Sequence, residues 1–209
     1  MCREKTDWEK TVEFHGHVCA GLAFGYRAAR AGLRELGARR APDEELVAVV
    51  ETDACGVDAV QVVTGCTLGK GNLLYRDYGK PVYTFGRRDL GKAVRVVVRG
   101  EAWSLDEEFQ RLREKVRSQA AAPEDQERFR AKQIEVAAKI LEAPEDQILK
   151  IQEISFDFPE KARIFASIAC AVCGEQVMEP RARVRDGKFV CIPCSETYTR
   201  GWCDCGSPD

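Results

Sequence analysis

Cys170-Ala-Val-Cys173 and Cys191-Ile-Pro-Cys194 are two C-x-x-C pairs with 17 residues between them. This spacing restricts the fold of its own segment more than any other feature of the chain. Two intervening residues let both sulfurs of a pair turn toward one ion, and two such knuckles complete a tetrahedral four-thiolate zinc site. Arg185-Asp186-Gly187-Lys188 between them reads as a hairpin turn. The expectation is a treble-clef or ribbon-like zinc module of about 30 residues, folded by its metal because it has little core of its own. Arg181, Arg183 and Arg185 alternate and so share one strand face. Yet from Cys170 onward five basic residues face six acidic ones, so nucleic-acid binding is not expected. Cys203-Asp204-Cys205 has no obvious ligand mates and reads as a tail.

The remainder of the 209 residues is long enough for one medium domain, and 44% apolar residues are enough for a real core. The pattern predicts a domain over 1–158 and a zinc-finger module over 159–209. Charge is high but mixed, with a net of -2, which gives neither a basic field nor an acidic tail. No apolar run approaches the roughly 18 residues needed to span a membrane, and the N-terminus lacks the apolar stretch of a signal peptide. A cytoplasmic protein is expected. In a reducing compartment ten cysteines point to metal binding or thiol chemistry rather than disulfides.

Periodicity predicts a short helix over 6–14 and a long one from His17 to about Leu36, closed by Gly37. Arg27, Arg30 and Arg34 are expected on the face opposite its apolar stripe. The many small residues of this helix (Gly21, Gly25 and Gly32 among them) call for a closely packed partner, such as a second copy of the chain. Strands are expected over 46–51, 73–75, 82–85, 93–98 and 148–155. Helices are expected over 56–64, over 105–118 with Ser104 as cap, and over 124–142. The fold class is therefore α+β: a mixed sheet packed with long helices, plus the zinc module.

Phe14-His15-Gly16-His17-Val18-Cys19-Ala20-Gly21 holds both histidines of the chain. His15, His17 and Cys19 alternate, so in an extended backbone all three point the same way. Imidazole and thiolate suit Zn²⁺ or another borderline transition metal. Cys19 falls at a helix start, where the dipole favours a thiolate. Cys55, between a buried strand and a helix, is the candidate fourth ligand, and Asp58 lies one turn on. The metal set is then His17, Cys19 and Cys55, with His15 or Asp58 as the nearest acid–base group. Cys66 suits a small buried hydrophobe, and Lys70 and Asn72 could hold an anionic or carbonyl group.

These motifs, together with Asp53-Ala-Cys-Gly-Val-Asp-Ala-Val-Gln61 and Gly65-Cys-Thr-Leu-Gly-Lys-Gly71, resemble the E subunit of formylmethanofuran dehydrogenase and its stand-alone relatives. The resemblance covers roughly residues 8–155. Where Ala20 stands, the family usually has proline. The resemblance implies an α+β core, intertwined homodimers, a core site at His17, Cys19 and Cys55 with His15 nearby, and in some members an added zinc finger. It takes its name from a molybdenum or tungsten enzyme complex.

Two functional classes follow. One is a metal-dependent enzyme, such as an oxidoreductase, or an accessory subunit of a larger complex in one-carbon or redox metabolism. It would hold a structural zinc at the four cysteines and a second transition metal, zinc by donor chemistry, at the core. The other is a non-catalytic carrier of metal or cofactor, or a module that holds a protein partner through its zinc finger. There is no dinucleotide loop, P-loop or ferredoxin-type cysteine run.

Overall fold

Leu46–Val50 (β1) is apolar at all five positions because it is buried on both faces. In this computed structural model, which describes residues 3–104 and 106–196, β1 is the second strand of a five-stranded sheet. Leu73–Tyr75 (β2), Val82–Arg87 (β3), Lys92–Val98 (β4) and Leu149–Ile154 (β5) complete it in the order β2-β1-β3-β4-β5. The β1–β2 pair is parallel and the other three pairs are antiparallel, so the sheet is mixed. The expected α+β core is present, and contacts divide the chain into units 1–162 and 163–209.

In the first unit the helices are Asp7–His15 (α1), Ala20–Glu35 (α2), Gly56–Thr64 (α3), Glu107–Arg117 (α4), Pro123–Glu142 (α5) and the short Glu145–Ile148 (α6). The buried face of α2 carries Leu22, Phe24, Ala28 and Ala29. Its glycines serve contacts within this chain. A Cβ at Gly25 would lie 2.3 Å from the Cα and carbonyl oxygen of Gly56, and one at Gly32 would lie 2.2 Å from the Phe85 ring. The close partners of the small-residue helix are thus α3 and β3.

Three local expectations are corrected. Helix α2 starts at Ala20, three residues after His17, because Cys19 is its extended N-cap. Arg27 does not lie on a free solvent face. Its guanidinium donates to the carbonyls of Ile140, Leu141 and Ala143 at 2.7–2.9 Å, satisfying the open C-terminal end of α5. Helix α4 is capped by Asp106 rather than Ser104. The Asp106 Oδ1 accepts from the Phe109 N–H at 2.9 Å, while Oδ2 takes Lys132 at 3.0 Å and Lys139 at 2.6 Å. A carboxylate that caps one helix and ties down two lysines of another outcompetes a hydroxyl for the cap.

The second unit consists of two hairpins. Ser167–Ala169 (β6) pairs with Gln176–Met178 (β7), and Arg183–Arg185 (β8) pairs with Lys188–Val190 (β9). The predicted turn at Asp186-Gly187 is formed, with φ of +50° and +76°. The cysteines of the tail, Cys203 and Cys205, lie outside the described residues. Among the described residues no helix is long and apolar enough to cross a membrane.

Candidate metal centres and an adjoining cavity

The four finger cysteines converge as their spacing predicts. Their sulfurs all lie within 4.8 Å of one another, and Cys173 Sγ is 3.8 Å from Cys191 Sγ. Two thiolates on one tetrahedral zinc would be about 3.8 Å apart, given Zn–S near 2.3 Å. The donor set and spacing fit structural zinc. One knuckle sits in the β6–β7 turn and the other follows β9. They are stitched together by the Cys191 N–H, which donates to Cys170 Sγ at 3.3 Å. Backbone N–H groups of Cys173 and Cys191 pull the Cys170 thiol down to about 6. Its neighbours' thiols, Cys191 first, push Cys194 up to about 12. The cluster thus holds unequal thiols that a dication would deprotonate together.

The core centre is assembled differently. His15 is the last residue of α1, and Gly16 ends that helix at φ +90°, a left-handed cap that glycine adopts without strain. The chain is extended by Cys19, whose sulfur accepts from the Leu22 N–H at 3.4 Å. The ligand atoms of His15, His17 and Cys19 lie within 4.8 Å of one another. Their convergence comes from a helix end, a left-handed glycine and a helix start, not from strand alternation. The His15 Nε2 is 3.9 Å from Cys19 Sγ, where a shared tetrahedral zinc would set about 3.6 Å. The two imidazole centroids are 4.4 Å apart.

Asp58, in the first turn of α3, takes the Nδ1 proton of His15 on Oδ2 at 2.7 Å. That bond fixes the tautomer and turns the Nε2 lone pair toward Cys19. Cys55, just before α3, pairs with the thiol of Cys19 and with the His15 imidazole. It also packs against the first turn of α2, since a Cβ at Gly21 would lie 3.4 Å from Cys55 Cβ. Two thiols this close share a proton. The bond to Cys55 and then burial drive Cys19 upward, while donation from Cys19 holds Cys55 down to about 5, against burial and with help from His15. Burial lowers His15, but Asp58 and Cys55 outweigh it, so its net shift is upward.

Cys55, His15 and Asp58 open onto a cavity of about 590 Å³ walled by Val50, Val57 and Leu73, with Leu68 and Tyr75 at its rim. His17 is exposed and lines a separate depression with Arg130 and Ile134. Tyr83 is a group that sequence reasoning missed. It is 3% exposed, and burial and then the Cys55 charge push its phenol far above the ordinary range. Its hydroxyl occupies the space a Cβ on Gly56 would need. Only the register that pairs Tyr83 with Val50 brings it there.

The glycine-rich loop does not form an anion cradle. Asn72 is fully buried, accepts from the Thr67 N–H, and donates to the carbonyls of Asp43 and Leu46. Lys70 Nζ donates to the Pro42 carbonyl. Cys66 is fully buried in the main core, as a small hydrophobe would be.

An α+β core with a clustered His/Cys group, joined to a four-cysteine finger, defines a metal-binding class of protein. Residues 14–150 match the family described as FmdE, Molybdenum formylmethanofuran dehydrogenase operon, and residues 163–200 match the prokaryotic dksA/traR C4-type zinc finger. The chain belongs to the FmdE family and carries a zinc finger at its C-terminal end. A curated relative from Archaeoglobus fulgidus, described as a probable S-adenosyl-L-methionine-binding protein, is 35% identical over 196 residues. That match takes in 90% of this chain but only 52% of the relative, so the chain spans about half the relative's length. The crystal structure of an FmdE-like protein of tungsten formylmethanofuran dehydrogenase from Syntrophus aciditrophicus shares the fold, with a TM-score of 0.57 at 22% identity. The similarity covers 90% of this chain and 91% of that one.

Proposed function

We propose that the chain is a metal-dependent enzyme, or the metal-bearing subunit of one, that presents an organic ligand to a second transition metal in the core. The observation that carries this reading is the clustering of His15, His17 and Cys19 with Cys55 beside them, on the wall of a cavity. In this reading His15 is a ligand rather than an acid–base group, because its Nδ1 is already committed to Asp58. Asp58 is then a positioning residue, not a catalytic one. Two imidazoles and two thiols suit zinc, which at such a site supplies Lewis-acid polarisation or a lowered water pKa. The chain's own part is to seat the ligand. Val57, Leu73 and Leu68 exclude water, while His15 and Cys55 meet whatever enters.

The family resemblance extends the reading to one-carbon or redox metabolism, to a homodimer and to a larger enzyme complex. The abundance of free thiols favours the cytoplasm. A second reading is favoured by the Archaeoglobus relative: the cavity holds S-adenosyl-L-methionine, and the chain acts as a binding or carrier protein.

Metal analysis of the purified chain should give two zinc-type ions per chain. Cys19→Ser should remove one and leave the finger's ion. Asp58→Asn should weaken the core ion about 10–100-fold, as loss of an outer-shell carboxylate does. One ion per chain that survives Cys19→Ser would defeat the core centre. Rapid release of the core ion to a mild chelator would favour the carrier reading over the enzyme.

A further inference from the structure

We propose that the cavity beside the core centre selects an organic cation, held between the ring of Tyr75 and the carboxylate of Asp53. The inference rests on the reading above that this cavity takes an organic ligand, and it adds the charge of that ligand and the residues that recognise it.

Three observations carry it. The first is the shape and lining. About 590 Å³ lies within the range of small-molecule sites, and the walls of Val50, Val57, Leu68 and Leu73 suit an apolar body. The second is charge. Two carboxylates, Asp53 and Asp58, line the cavity, and no lysine or arginine does among the described residues. Asp58 is committed to His15. Asp53 is exposed and makes no hydrogen bond or ion pair among the described residues. An anionic ligand would meet an uncompensated carboxylate here, and a cation would supply its missing partner. The third is the aromatic rim. Tyr75 is 45% exposed, and its phenol is engaged by Asp77, which with Asp53 keeps the hydroxyl protonated. The ring face is left for contact, and a tyrosine face beside a carboxylate is the arrangement that favours sulfonium and ammonium centres. The neighbouring lysines are turned elsewhere: Lys80 lies over Tyr78, and Lys70 bonds to Pro42.

The test is calorimetric titration of the metal-loaded, full-length protein with two probes. S-adenosyl-L-methionine and S-adenosyl-L-homocysteine differ by one methyl group and one positive charge on sulfur. The sulfonium should bind about ten-fold more tightly, the scale of one cation–π and carboxylate contact at a half-open site. Asp53→Asn should abolish that preference while leaving the affinity for the thioether and the melting temperature unchanged. Tyr75→Leu should reduce the preference. If both probes bind equally to the wild type, or Asp53→Asn retains the preference, cation selection is overturned while the cavity remains a ligand site. If neither probe binds, the adenosyl-ligand reading falls and this inference falls with it.

Discussion

The two cysteine centres of this chain are built in opposite ways. In the finger, all four ligands lie on two tight turns, and the buried residues around them are Cys170, Val190 and Cys191. In the core, the candidate ligands sit on the end of α1, the start of α2 and the start of α3, against a cluster that includes Phe24, Val50, Phe85 and Ile140. A module with so few buried side chains cannot offset the ordering entropy of its own backbone, so the metal must make the fold. Where the packed helices already hold the ligands, the fold makes the site. The difference separates what metal removal does to each region.

The largest effect is expected at the finger. Structural zinc supplies on the order of 10 kcal/mol to such a module. Stripping the metal with a strong chelator, or replacing Cys173 and Cys194 with serine, should unfold the second unit and open it to protease. The first unit should stay folded, with its melting transition in place. Differential scanning calorimetry with limited proteolysis reads both. A single transition that collapses for the whole chain on zinc removal would break the comparison.

A smaller effect is expected where the fold supports the core centre. Gly25→Ala places a methyl 2.3 Å from the backbone of Gly56, and backbone cannot swing aside as a side chain can. Alanine gains helix propensity, but forced repacking should outweigh it and leave a net loss of about 1–3 kcal/mol. Helices α2 and α3 would move apart, carrying Cys19 away from Cys55. The core ion should therefore be lost more easily while the finger's ion stays. An unchanged melting temperature, or loss of the finger's ion first, would show that the core centre does not depend on this contact.

Legibility in the sequence follows the same division. The finger could be read because its information is local: two C-x-x-C pairs and an Asp-Gly turn state the site. The strands were legible for a similar reason, since β1 is apolar at every position and β4 and β5 carry clear apolar runs. The core site was legible as a set of residues but not as an arrangement. His15 and Asp58 are 43 residues apart, and no periodicity shows that their side chains share a hydrogen bond. The extended backbone expected at His15 was wrong in detail, because α1 runs through His15 and Gly16 turns the chain by a left-handed cap. Tyr83 and Tyr75 were missed because sheet register, not spacing, brings them to the site. Lys70 and Asn72 misled because a glycine-rich loop with a lysine looks like an anion cradle, whereas here the asparagine holds the loop to β1.

The smallest effect tests whether the first unit carries its own electrostatic support, independent of any metal. Asp106 is held far below the ordinary carboxylate range, by Lys139 first and then by the Phe109 N–H, with Lys132 adding to both. Its side chain is only 8% exposed. A carboxyl with a depressed folded-state value contributes stability above its unfolded value, about 3.9, and loses it as pH falls through the folded value. Asp106→Asn keeps a good helix cap but removes the charge that the two lysines face. The variant should melt about 2 °C below the wild type at neutral pH. The gap should narrow only below about pH 4, where the wild-type chain begins to give up the same contribution. Because this carboxylate belongs to the first unit, the gap should be the same in the metal-loaded and the finger-stripped protein. A gap that vanishes on zinc removal, or that persists unchanged at pH 2, would mean that Asp106 does not act through its charge on this unit alone.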